Sequence, residues 1–476
     1  MLRALRWLFY LVGIVVIAAA AWPWKVVLDE RIGAQEFQDY LSQTVVPLDY
    51  NKPDAGFEFP DWFYDQRLFF LGEIHGTQHA QLLDLALMKH LNQRIGVRWL
   101  MAELSPVQAA RFNRFLDTGD ASVVNPVFSR WLASATQWGN QQHFEKLVAV
   151  RDYNMTLPEE QRLRYFGIDR IGDGDVEDAA AWVASELASL PEGGAVDETL
   201  VSFKTAAEAY SSDPDGFIVA ARAFGDWTPP VASSENENPN AIGTDDTSDA
   251  DTALAEEVTT PDTDDTDYPD YPDYTDDPDY TELKYIALNV ATLADTSNRY
   301  PVFLRNIELM VNQLGIGDDE PVYGFWGLFH SLKTKVNVDG RPLALRLEES
   351  DFPFSNAIVS TIMVYADSDQ NLPSYILPKQ LQADGPYTDL PMGQNNPYLL
   401  YLDGIGDLIT VADDADAALF DLNRDNSPYR GVDRLKRQSG ILTRVFPFDI
   451  DQSERRASEF IVLVKDSPAL TPYTGE

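Results

Sequence analysis

At 476 residues and 45% apolar composition, the chain can form one large domain or two ordinary ones around a substantial core. Its formal net charge of −40, with no Lys/Arg-rich tract to offset it, argues against nucleic acid as a partner, because a polyanion would be repelled. Cysteine is absent, which excludes disulfides, thiolate metal ligands and cysteine nucleophiles.

Arg3 and Arg6 precede an uncharged stretch from Trp7 to Trp24 that contains LFYLVGIVVIAAAA. Its length is near the lower limit for a spanning helix, and Trp7, Trp22 and Trp24 suit the two interfacial belts. Positive charge ahead of the stretch places the N-terminus in the cytoplasm and the remainder outside. The expectation is a single-pass anchor in the inner or cytoplasmic membrane, with a periplasmic or extracellular domain. The alternative is a cleaved signal peptide, for which Ala18 to Ala21 offer a small-residue site. Both readings export the domain.

The next elements alternate. RLFFLGE (67–73) reads as a short apolar strand and HAQLLDLALMKHL (79–91) as a helix, with Leu83, Leu87 and Leu91 on one face and Thr77 as N-cap. VRWLMAEL (97–104) reads as a strand, FEKLVAVRDYNMTL (144–157) as a helix and RLRYFGID (162–169) as a third strand. Between Arg222 and Lys284 there is no Lys or Arg, and from Ser233 the chain is dominated by Asp, Glu, Thr, Ser, Asn and Pro. Such a stretch cannot bury enough apolar area to offset its ordering entropy, so 231–283 reads as a disordered surface insertion between two helical stretches. EPVYGFWGLFH (320–330) is a fourth strand, and IVSTIMVYA (358–366), YLLYLDGIG (398–406) and EFIVLVKD (459–466) are further candidates. The domain plan is an anchor or signal at 1–24, then one α/β domain in two parts, 25–230 and 284–476, around the insertion. Strands separated by helices imply a central, mostly parallel sheet flanked by helices, and near-continuous apolar runs suit strands buried on both faces.

Polar residues recur at one end of these strands. The first ends in Gly72-Glu73-Ile74-His75-Gly76, the second in Met101-Ala102-Glu103, the third in Gly167-Ile168-Asp169 and the fourth in Gly327-Leu328-Phe329-His330, with Lys333 just beyond. In parallel α/β sheets the ligand site lies outside the carboxyl ends of the strands. Glu73, His75, Glu103, Asp169 and His330 are therefore the candidate catalytic residues. Two chemistries suit them. His75, Glu103 and His330 could ligate a divalent manganese, zinc, iron or cobalt ion, with Glu73 as an alternative carboxylate, and activate water. Without a metal, a histidine would act as general base with a carboxylate orienting its ring. Both give hydrolysis. Capping or packing is the bland reading of a single histidine; His90 and His143 stay there, on helix and loop, and His79 sits in the first turn of its helix. Glu103 could pair with Arg98 or Arg111, and Asp169 with Arg170 or Arg164.

LGEIHGTQH resembles the opening motif of the superfamily joining erythromycin esterase-like proteins, ChaN-like haem-binding proteins and Tiki/TraB proteins. The Gly72-Glu73-Ile74-His75 spacing is closer to the ChaN-like and Tiki/TraB form, since erythromycin esterases usually have one more residue between Glu and His. Tiki-type proteins carry two Gly-x-x-His motifs and a Glu after the next strand; this chain has Gly72–His75, Gly327–His330 and Glu103. LVAVRDYNMTLPEEQRLRYFGIDR and EFIVLVKDSPALTPY are similar to segments of the erythromycin esterase group. The resemblance implies an α/β fold with its site at these strand ends, and members that include hydrolases, metal-dependent proteases and haem binders. The resulting expectation is a membrane-anchored hydrolase of ester or amide bonds acting on a small molecule or peptide. The rivals are a ChaN-like haem or iron binder and a scaffold with a vestigial site.

Overall fold

The structure is a computed structural model that describes residues 24–25, 27–28, 30–189, 198–226, 278–292, 299–313, 320–337, 340–432, 434–444, 450 and 456–475. The stretch expected to be a membrane anchor lies almost wholly outside these residues. Among the described residues no helix is long and apolar enough to cross a membrane.

In chain order the site-bearing half contains β1 (Val45–Leu48), β2 (Leu68–Glu73), α1 (Gln78–Ile95), β3 (Trp99–Ala102), α2 (Pro106–Thr118), α3 (Gln141–Asn154) and β4 (Arg164–Gly167). Four helices follow: α4 (Asp173–Glu186), α5 (Glu198–Glu208), α6 (Pro214–Asp226) and α7 (Pro278–Val290). Then come α8 (Arg299–Gln313), β5 (Val322–Gly327), the single turn α9 (Leu328–Ser331) and β6 (Ile358–Ala366). A ribbon of β7 (Asp369–Pro373) and β8 (Tyr387–Pro391) precedes β9 (Asn395–Asn396), β10 (Leu400–Leu402), β11 (Ala417–Asp421), β12 (Gln438–Ser439) and β13 (Phe460–Lys465).

The main sheet has eight strands in the order β1-β11-β13-β6-β2-β5-β3-β4. Every pairing from β13 to β4 is parallel, and only β11 runs against the others. Alternate side chains feed two cores. In β13, Phe460, Val462 and Val464 join the layer that holds Leu83, Leu87 and Leu91 of α1. Ile461 and Leu463 point to the opposite layer, with Leu328 and Leu332. Period-2 alternation between two apolar layers explains the continuous apolar runs.

The chain divides into two compact units, 173–294 and the rest. The smaller unit is helical, and the stacked rings of Phe203, Phe217 and Phe224 form part of its core. Helix α7 starts at Pro278, a residue tolerated at a first helical position, so 278–283 are helical rather than part of an unstructured insertion. Residues 231–277 lie outside the described residues. Two other readings change. The strand expected at 398–406 is only three residues long, belongs to a separate small sheet, and gives way to a helix at Ile405–Ala412. The apolar run of 320–330 splits into β5 and the turn α9, so His330 sits on a helical turn.

Candidate active site

The sheet register aligns the strand ends: Glu73 pairs with Gly327, and Ala102 with Gly167. Pairing continues past β3 and β4, because the amide of Asp169 donates to the Leu104 carbonyl at 2.8 Å. All five expected residues thereby lie at the carboxyl edge of the parallel strands.

The two Gly-x-x-His motifs make room for each other. A side chain at Gly327 would begin 2.9 Å from His75 Nε2, so the glycine of the second motif admits the histidine of the first. A side chain at Gly72 would begin 2.8 Å from Ser331 Cβ, so the glycine of the first motif lets α9, which carries His330, sit against β2. Gly76 has φ +111°, and its carbonyl accepts from the amides of Asn371 and Leu470. Gln137 Nε2 donates to the His75 carbonyl at 3.0 Å. The His75 loop is thus held at both carbonyls.

Glu73 is buried, and its Oε1 lies 2.8 Å from His75 Nδ1. A carboxylate can only accept, so Nδ1 carries the proton and a neutral ring presents Nε2 as acceptor. Burial disfavours the charged ring, but the Glu73 hydrogen bond and the charges of Glu73 and Glu103 outweigh it, and the His75 pKa is raised. The Trp138 ring stands edge-on to His75 at 4.5 Å between centroids.

Glu103 faces a different set. His330 Nε2 lies 3.6 Å from Glu103 Oε1, and the Tyr300 hydroxyl is 3.3 Å from His330 Nδ1. Arg299 Nη2 donates to Glu103 Oε1 at 2.6 Å and also to Asp169 Oδ2, while Arg299 Nε reaches Asp169 Oδ1 at 3.2 Å. Burial alone would raise the Glu103 pKa; His330, Arg299 and His75 together hold it far below the usual carboxylate range. Burial pushes the Tyr300 hydroxyl up to about 12. Glu73 Oε2 and Glu103 Oε2 are both buried with no hydrogen-bond partner, which leaves each carboxylate with one unpaired acceptor. Glu103 and Trp138 also border a cavity of ≈ 40 Å³, room for a few waters, whose other walls include Asp84, His143, Lys146 and Tyr323; Glu73, His75, Arg299 and His330 do not line it.

Two of the pairings weighed from sequence are replaced, and from Arg170 it is the backbone amide that donates to Asp169 Oδ1, at 2.8 Å. Arg98 is bound to Glu320 and Arg164 to Asp117, leaving Glu103 and Asp169 to Arg299. Arg299 stands 196 and 130 residues from them and gives no local signal. The three residues expected to ligate a metal, His75, Glu103 and His330, lie near one another. Among the described residues no group of three or more His, Asp or Glu is arranged to hold a metal ion. Glu103 Oε1 is already held by the Arg299 guanidinium. The remaining histidines are structural. His79 packs on Tyr50, His90 bonds the Tyr64 hydroxyl, and His143 lies in the first turn of α3, not in a loop, stacked on Trp131.

No protein-family profile matches the chain, and no curated protein matches it by sequence. Solved structures do. A Bacillus cereus protein superimposes with TM-score 0.54 at 13% identity, covering 93% of this chain and 99% of its own. A succinoglycan biosynthesis protein gives TM-score 0.57 at 12% identity, covering 92% and 98%. The erythromycin esterase EreC in its open conformation gives 0.47 at 12% identity, covering 89% and 98%, a likeness too loose to argue from. The narrower resemblance to ChaN-like and Tiki/TraB proteins is carried by none of the three. What this chain shares with the first two, over nearly its whole length, is the fold.

Proposed function

We propose that this protein is a membrane-anchored, extracytoplasmic hydrolase of ester or amide bonds in which His75 is the general base. The carrying observation is the Glu73–His75 pair facing His330, Glu103 and Arg299 across Gly327. In this reading His75 Nε2 takes a proton from water as the water oxygen attacks the substrate carbonyl carbon. Negative charge gathers on the carbonyl oxygen, and the half-exposed Arg299 guanidinium with His330 offsets it. Collapse of the tetrahedral intermediate breaks the C–O or C–N bond, and the His75 imidazolium returns its proton to the leaving group. Asp169 and Glu103 hold the guanidinium in place, so in this reading Asp169 is a positioning residue. The −40 charge supports a small-molecule or peptide substrate over nucleic acid.

The test is hydrolysis of a panel of p-nitrophenyl esters and anilides by His75→Ala, His330→Ala and the double variant, with metal content measured on the same samples. Loss of about 10²–10⁴-fold in kcat is expected at His75. Full activity in the double variant overturns the assignment. Stoichiometric metal lost with these histidines would replace general-base chemistry with metal chemistry. A Soret band on adding haem, abolished by the same substitutions, would favour the haem-binding reading.

A further inference from the structure

The residues that follow the uncharged stretch carry an apolar surface that the chemistry above does not use. Trp24, Leu28 and Ile32 are spaced by four and are 49–78% exposed. Residues 24–30 are helical wherever they are described, so Trp24 and Leu28 share a face. The other face turns inward, with Val27 against the core and Glu30 buried. A remote segment extends the surface. Trp24 Nε1 donates to the Tyr398 hydroxyl at 2.7 Å, with the rings edge to face, and the Ile441 amide donates to the Tyr398 carbonyl at 2.9 Å. Tyr398 and Ile441 are themselves 43% and 59% exposed.

The helix is fastened, not tethered. Glu30 accepts from the Tyr401 hydroxyl and, at 3.1 Å, from the Gly406 amide. Arg434 donates both to the Glu30 carbonyl and to the Asp407 carboxylate, which ties the same helix to Ile405–Ala412.

We propose that Trp24, Leu28, Ile32, Tyr398 and Ile441 form a seat on the lipid interface that fixes the orientation of the domain on its membrane. The inference rests on the anchor reading. The occupant follows from where the chain enters: the uncharged run 7–24 ends at Trp24, on this surface. At 1.5 Å per helical residue, Leu28 is only ~6 Å further along, within the depth an interfacial apolar face reaches. Trp and Tyr suit that layer because each joins an apolar ring to a polar tip. A domain of net charge −40 gains nothing from anionic headgroups, so its contact with lipid has to be apolar.

The absence of cysteine makes single-cysteine labelling clean. The full chain carrying Leu28→Cys, Ile441→Cys or, as control, the exposed Met155→Cys is labelled with a fluorophore and reconstituted into phosphatidylcholine vesicles doped with nitroxide lipid. Quenching of ~2-fold or more at 28 and 441, with none at 155, is the expected result for an interfacial seat. Quenching at 28 with 441 no different from 155 overturns it, because a free tether behaves that way, as does a surface covered by a second copy. Vesicle flotation separates the two failures. A chain that does not float refutes the anchor and the seat together, whereas one that floats with an unquenched 441 refutes only the seat.

Discussion

Two buried polar clusters serve the same sheet and differ in how completely they are satisfied. In the Asp84 cluster, Lys146 Nζ holds Oδ2 at 2.5 Å, the Tyr323 hydroxyl holds Oδ1 at 2.6 Å, and the ammonium sits over the Phe325 ring. At the strand ends, Glu73 and Glu103 each keep one buried oxygen without a partner. The histidines diverge in parallel. Burial and Lys146 drive the His143 pKa well down, so that ring is neutral, whereas the carboxylates around His75 draw its pKa up. A buried polar group that is fully paired stabilises a fold; one left with open valence has capacity for a ligand. Burial alone does not separate the two carboxylates, since Asp84 and Glu73 are both 1% exposed, yet only Asp84 has both oxygens paired.

Each side can be attacked separately. Lys146→Ala leaves Asp84 as an uncompensated buried charge and is expected to cost about 3–5 kcal/mol of stability in urea titration. A loss under ~1 kcal/mol would show that the cluster is not the structural one. Gly327→Ala places a methyl 2.9 Å from His75 Nε2 and must shift that ring. Displacements near 1 Å cost about 10²-fold in rate, so kcat should fall by that order while the urea midpoint barely moves. Arg299→Lys keeps the charge but loses the two-pronged grip on Asp169, and kcat/KM is expected to drop about tenfold. An unchanged value would remove Arg299 from the oxyanion role.

The smallest effect is on pH dependence. A general base must be unprotonated, so the acidic limb of the activity profile should follow the raised His75 pKa and lie above the ordinary histidine value. Glu73→Gln removes the negative charge that raises it, and the limb should move to lower pH. A limb that stays where it was would detach the profile from this pair. The same shift has a stability consequence of definite sign: the Glu73–His75 pair stabilises the fold fully below the ordinary histidine pKa and loses that contribution as pH rises through the raised one.

The local pattern carried much of this. Leu68–Glu73 and Phe460–Lys465 were legible because strands buried on both faces have no polar side to show, and α1 because its leucines recur at helical spacing. β1 and β11 were missed; at four and five residues, and outside the alternation of strands and helices, they lack a signal of their own. His143 was read into a loop because its helix starts from an Asn140 cap three residues before the apolar run begins.

Glu73, His75, Glu103, Asp169 and His330 were visible as polar ends on apolar strands, which is a property of neighbouring residues and so is written in the chain itself. The sequence by itself thereby determined that ionisable groups gather at one sheet edge and what chemical types they are. Only the tertiary structure decided their partners. Strand order brings Glu73 beside Gly327, the reciprocal glycines let the two motifs interlock, and α8 delivers Arg299 to both Glu103 and Asp169. Those contacts join residues more than a hundred positions apart, where hydrogen-bond geometry and charge, not local periodicity, select the pairing. That selection placed the Arg299 guanidinium between Glu103 and Asp169.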